Sequence, residues 1–176
     1  FLKNKNIVNI HLLANLNINP DFSEFNINSD KPDAVVVGDI YKDFNWENLN
    51  IAFEYLLQDK CLLIALHKNK YCKRDNKLSL DLGPFVSALE YATSKKSIII
   101  GKPDKQFFKL AIESLNLDKN KIVMIGDDIV SDIEGAKSND IIAIQVKTGK
   151  YRKNDESNDY IQPDFRIDRF ADLLLI

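Results

Sequence analysis

Three carboxylates crowd the end of one apolar run. In KIVMIGDDIVSDIEGA (121–136) the run stops at Gly126, Asp127 and Asp128 follow at once, and Asp132 comes four residues after Asp128. In an open α/β sheet, ligands sit beyond the carboxyl ends of the strands. A turn of helix after the strand brings Asp128 and Asp132 to one face. Carboxylates that close repel one another, and a hard cation relieves the repulsion. Mg²⁺ accepts a few carboxylates together with water and phosphate oxygens. The same residues also read as a helix start. Asp127 or Asp128 can cap the first turn, where the helix dipole favours an anion, and SDIE (131–134) has the Ser-x-x-Glu form of a capping box. The two readings are compatible, and both stay open.

A cation accompanies the acids. Lys102, in GKPDKQFF (101–108), follows a short apolar run and precedes a helix. A fixed ammonium at a strand end neutralises phosphate oxygens, as phosphoryl transfer requires. Lone surface lysines are common, so its position is what singles it out. Other candidates carry less. VKTGKYRK (146–153) contains TGK without the spaced glycine of a phosphate-binding P-loop. His67 reads as a structural histidine, Ser87 lies within a helix without a strained elbow, and Tyr71 and Arg74 read as solvated.

Short apolar runs alternate with amphipathic stretches. Strands are expected at 7–14, 33–39, 61–67, 97–100, 121–126, 141–147 and 165–167. Helices are expected at 46–58, 83–94, 103–117, 130–138 and 168–175. The first should turn Trp46, Leu49, Phe53, Leu56 and Leu57 inward, and the third should turn Phe107, Leu110, Ala111 and Leu115 inward. The stretch 68–77 reads as a loop or hairpin tip, and IVMI, apolar without alternation, reads as an inner strand. This rhythm predicts an α/β fold with parallel strands.

Composition narrows the function classes. The 176 residues carry 45% hydrophobic and 28% charged residues and a net charge of −2. No basic excess points to nucleic acid. No apolar run approaches the ~18 residues that span a bilayer, and the N-terminus has no signal-peptide layout. Two cysteines and two histidines, without CxxC, argue against a zinc site and against a disulfide framework. Reduced thiols in a cytoplasmic protein are the expectation.

The stretch GKPDKQFFKLAIESLNLDKNKIVMIGDDIVSDIEGA resembles the third and fourth motifs of the haloacid dehalogenase superfamily. LIALHKNKYCKRDNKLSLDLGPFVSALEYATSKKSIIIGKP resembles the large α/β cap of its phosphatases. The resemblance implies a cap over 1–99 and the C-terminal half of a Rossmann-like core over 100–176. It implies that Lys102 holds the phosphate and the nucleophile, and that Asp127 ligates Mg²⁺. Asp128 and Asp132 would be supporting acids, positioning the metal's waters or Lys102. The substrate would be a small phosphorylated molecule, and a homodimer through the cap is the candidate assembly.

Two family motifs have no counterpart here. No Asp-x-(Asp/Ser)-Gly-Thr nucleophile motif occurs, and neither Thr93 nor Thr148 is followed by asparagine. The only methionine is Met124. The expectation is therefore a C-terminal fragment of a Mg²⁺-dependent phosphatase, inactive alone. The alternative is a catalytically inactive relative that serves as a dimerisation or binding module.

Overall fold

Val35, Val36 and Val37, with Ala34 before them, have no exposed surface at all. A run of β-branched residues buried on both faces is what the middle of a parallel sheet requires. The computed structural model describes residues 1–175 and puts this run at the centre of such a sheet. The chain divides into two units, Phe1–Gly101 and Lys102–Ile176.

In the N-terminal unit, β1 (Asn9–Leu13), β2 (Asn26–Ile27), β3 (Ala34–Val37) and β4 (Leu62–Ala65) are followed by a hairpin, β5 (Tyr71–Arg74) and β6 (Lys77–Leu80), and by β7 (Ile98–Ile99). The sheet runs β2-β1-β3-β4-β7 and every pairing is parallel. Alternate residues feed two cores. Val35, Val37, Leu63 and Ala65 pack with Ala52 and Leu56 of α1 (Trp46–Leu56) and with Leu82, Val86 and Leu89 of α2 (Leu82–Thr93). Ile10, Leu12, Val36 and Ile64 pack on the other side with Leu2 and Ile7. Asn45 caps α1 through the Asn48 N–H, and Asp81 caps α2 through the Leu82 N–H.

The C-terminal unit has three parallel strands, β8 (Val123–Gly126), β9 (Ile142–Val146) and β10 (Phe165–Ile167), in the order β10-β9-β8. The helix α3 (Lys105–Leu115) precedes them, and Asp104 caps it through the Gln106 N–H. Phe108 of α3 packs with Ile122, Ile133, Ala136, Ile141 and Ala143.

The α/β fold with parallel sheets is as expected, and the differences are local. Trp46 and Leu57 point to solvent; the inward ridge of α1 is Leu49, Ala52, Phe53 and Leu56. Phe107, Leu110, Ala111 and Leu115 likewise face outward, while Phe108 and Ile112 face the core. Gly135 explains that choice: a β-carbon there would lie 2.5 Å from the Phe108 ring, so its absence admits the ring. Helical periodicity alone cannot choose between two adjacent apolar ridges. The polar stretch after β4 is a full hairpin reaching Leu80, with Asp75 and Asn76 at its tip in the left-handed region. Among the described residues β8 lies at the sheet edge with Val123 at 44% exposure, as expected for a strand of inner-strand character whose family partner, the nucleophile-bearing strand, has no counterpart in this sequence.

Candidate active site

The site is built where β8 stops. Gly126 is the last residue of the strand, and the lack of a β-carbon there leaves room for the Asp132 carboxylate. The chain then turns into a π-helix, Ile129–Glu134. The Asp128 carbonyl accepts from the N–H groups of both Asp132 and Ile133, at 3.0 and 3.2 Å. Such π turns recur at functional sites. Here the wider turn folds Asp132 back beneath the strand end.

Asp132 is buried and doubly bound. One oxygen accepts from the Asp128 N–H at 3.1 Å, and the other is ion-paired with the Lys102 ammonium at 2.7 Å. Its side chain is 6% exposed while that of Lys102 is 40% exposed. The buried acid therefore holds one end of a lysine whose ammonium still reaches solvent. Asp128 is the helix cap. Its Oδ1 accepts from the Val130 and Ser131 N–H groups, each at 3.0 Å. Its Oδ2 meets the Lys150 ammonium at 3.0 Å. Burial works against the Asp128 charge. The Ser131 N–H, the Lys150 ammonium and the Val130 N–H outweigh it, and its pKa is held below the ordinary aspartate value. Asp127 is half-buried and accepts the Lys150 N–H on Oδ2.

The structure thus brings Lys102 and Asp132 into contact, while Asp127 and Asp128, at the end of β8, are held by Lys150 of the loop after β9. The capping half of the sequence reading lands on Asp128, not on a capping box at Ser131, which is buried inside the π-helix. The three acids do not converge on one point. Among the described residues no group of three or more His, Cys, Asp or Glu side chains could hold a metal. The reason is that Asp132 and Asp128 already face cations.

Lys150 lies in TGKYR (148–152), which the family resemblance matches to the loop after the next strand without giving the lysine a role, and that loop does follow β9. TGK fails the P-loop test, yet Gly149 takes φ +54°, a conformation glycine adopts without strain, and its backbone lies against the Asp127 carboxylate. The Thr-Gly pair closing an apolar strand was the available signal. The weaker candidates lie in the N-terminal unit. His67 Nε2 is 3.9 Å from Asp81, and Ser87 is exposed on α2. Arg74 is not simply solvated: it pairs with Asp39 at 2.5 Å, lies 4.2 Å from the Tyr41 ring centroid and donates to Cys72 Sγ at 3.2 Å.

Fold and site define the class first: an α/β protein with a lysine–carboxylate cluster at the carboxyl end of a parallel strand. Comparison with known proteins then gives the family. Residues 99–173 match the family described as HAD-hyrolase-like. The human phospholysine phosphohistidine inorganic pyrophosphate phosphatase is 39% identical over 169 residues, covering 94% of this chain and 62% of that protein. The human haloacid dehalogenase-like hydrolase domain-containing protein 2 is 47% identical over 137 residues, covering 78% and 52%. The 4-nitrophenylphosphatase of Thermotoga maritima superposes with a TM-score of 0.88 at 27% identity, covering 99% of this chain and 67% of that one. The chain belongs to the haloacid dehalogenase-like hydrolases. It spans less than two thirds of the length of the two human relatives. Among the described residues no helix is long and apolar enough to cross a membrane.

Proposed function

We propose that these residues belong to a Mg²⁺-dependent phosphatase that hydrolyses a small phosphate monoester through an aspartyl-phosphate. The observation that carries this reading is the Lys102–Asp132 ion pair at the end of the strand that also delivers Asp127. The names of the relatives point the same way, since three of the proteins compared above are called phosphatases or hydrolases of this family.

In this reading Lys102 neutralises phosphate oxygens while Asp132 keeps its ammonium in place. Asp128 holds the π-helix and its own charge through two N–H groups and Lys150. Asp127 would hold the metal. When bound, Mg²⁺ supplies positive charge that lowers the cost of bringing an anionic nucleophile to an anionic phosphate. The attacking carboxylate belongs to an Asp-x-(Asp/Ser)-Gly-Thr motif outside these 176 residues, none of which matches it. Residues 1–99 act as the cap that selects the leaving group, and 100–176 as part of the core. A cytoplasmic setting suits the two free thiols, Cys61 and Cys72.

The absent nucleophile motif favours a second reading, in which the polypeptide as it stands is a non-catalytic module that dimerises through 1–99. The test is a phosphatase assay with and without Mg²⁺. It compares the 176-residue chain with a longer protein that includes the nucleophile motif. Turnover is expected only from the longer protein and only with metal. Metal-dependent turnover by the short chain, lost in Asp127→Asn, would overturn the assignment of the nucleophile. No turnover by either would leave the module reading.

A further inference from the structure

We propose that Lys150 is a positioning residue of this site, a two-point clamp that fixes the carboxylates of Asp127 and Asp128. The inference rests on the reading of Asp127 as an active-site acid. Lys150 touches both adjacent acids with different groups. Its backbone N–H donates to Asp127 Oδ2, and its ammonium lies 3.0 Å from Asp128 Oδ2. The charged pair is largely shielded from water, with side-chain exposures of 17% and 19%. A shielded pair is screened far less than one on the surface.

The loop around it is shaped for that contact. Gly149 has φ +54°, and a β-carbon there would collide with Asp127 Oδ2 and lie 2.8 Å from its Cγ. Only a glycine lets the backbone approach the carboxylate this closely. From behind, the loop is tied to the sheet. Gln145 of β9 has no exposed surface; its amide donates to Asp155 Oδ2 at 3.3 Å, and its Oε1 accepts from Arg166 Nε at 3.1 Å. Asp155 Oδ2 also accepts the Arg152 N–H at 3.0 Å, two residues past Lys150. A buried glutamine in a parallel strand thus organises the turn that presents Lys150.

Two neighbouring carboxylates repel and would each sample several rotamers. Lys150 removes that freedom. A positive charge settles Asp128 on the helix cap, and a backbone donor locks one oxygen of Asp127. The residue acts through the two acids and not on the reacting atoms.

The test is amide NMR on the 176-residue chain, which needs neither metal nor substrate. The amide of residue 150 is expected to resonate downfield and to exchange slowly. Lys150→Met should shift it upfield and speed its exchange by about tenfold or more, as local opening becomes easier. Lys150→Arg should restore most of both, because a cation returns to Asp128. Gly149→Ala should lose the signature by pushing the loop off Asp127. The amides of Ala143 and Ile144 in β9 report whether each variant is folded. A fast-exchanging, undisplaced amide at 150 in the wild-type chain would overturn the clamp. So would a Lys150→Met variant whose residue 150 amide is unchanged. If the signature behaves as expected while the longer protein shows no phosphatase activity, the clamp stands and the phosphatase reading fails.

Discussion

The two units solve the same problem with unequal means. The N-terminal unit has five parallel strands with its middle strand sealed on both faces, and apolar clusters above and below. The C-terminal unit has three strands, and the strand that carries the candidate site lies at the sheet edge with Val123 partly exposed. The polar groups divide the other way. The C-terminal unit buries Asp132, Ser131 and Gln145, while Asp81 is the buried acid of the other unit. A buried charge is tolerated only when it is paired and hydrogen-bonded. The lesson is a division of labour: burial and hence stability are concentrated in the first unit, and most of the costly buried polar groups in the second, around the candidate site.

The sharpest way to break this contrast is through activity. In the longer protein, Lys102→Ala should lower kcat/KM by about 3 kcal/mol of transition-state stabilisation or more, the usual effect of deleting one preorganised charge-stabilising group. Asp127→Ala should abolish Mg²⁺-dependent turnover. Steady-state kinetics at saturating Mg²⁺ measure both. Near-normal rates in both variants would return these residues to capping and surface roles, and the chemistry would have to lie elsewhere.

Stability sharpens the same comparison from the other side. Leu56 has no exposed surface and packs in the core that joins α1 and α2 to the sheet. Leu56→Ala should cost about 2–5 kcal/mol through lost burial and a residual cavity. Val123→Ala on the edge strand should cost well under half of that, since 44% of Val123 is already in solvent. Urea denaturation gives both values. Hydrogen exchange should agree, with slow amides at 34–37 and 62–65 and faster ones at 123–126. Equal costs, or equal protection in the two sheets, would remove the asymmetry.

How much of this was legible in the sequence depends on how local the cause is. The strands announce themselves because buried parallel strands are continuous apolar runs, as AVVV and LLIA are. Asp128 as a cap and Lys102 beside the acids follow from strand-end placement. Three features were out of reach. The inward ridge of α3 depends on Gly135, which lies some twenty-seven residues from Phe108 in sequence (135 against 108) and reveals nothing until the two meet. The π-helix gives the Asp128 carbonyl a second N–H partner, Ile133, and one-turn spacing does not announce that the Asp132 carboxylate will turn back onto the Asp128 N–H and Lys102. The clamp by Lys150 joins the ends of two different strands, and its motif is noise unless the pairing of β8 with β9 is known. Local chemistry is readable, whereas contacts set by sheet order are not.

The smallest expected effect concerns pH and again separates the units. Both histidines, His11 and His67, lie in the N-terminal unit, and the C-terminal unit has none. His11 is half-buried beside Tyr55, with ring centroids 5.0 Å apart, and burial pushes its pKa below the ordinary 6.5. The sign follows from which state binds the proton first. As pH falls through 6.5, the unfolded chain protonates at His11 while the folded chain does not, so unfolding is favoured. Stability from this source is full above pH 6.5, declines below it, and stops changing once the pH passes the folded pKa. The paired carboxylates start to matter only in more acid solution. Glu90, despite partial burial, is held below its ordinary 4.5 by Lys68 and Ser97, and Asp164 is held below 3.8 by Lys137 and the Ala143 N–H. Between about pH 7.5 and 5.5, protection of the amides at 34–37, corrected for intrinsic exchange, should therefore fall, while that at 142–146 should hold. His11→Phe should remove most of the fall. A decline of the same size in both units, or one that survives His11→Phe, would show that the pH response has another origin and does not follow the division between the units.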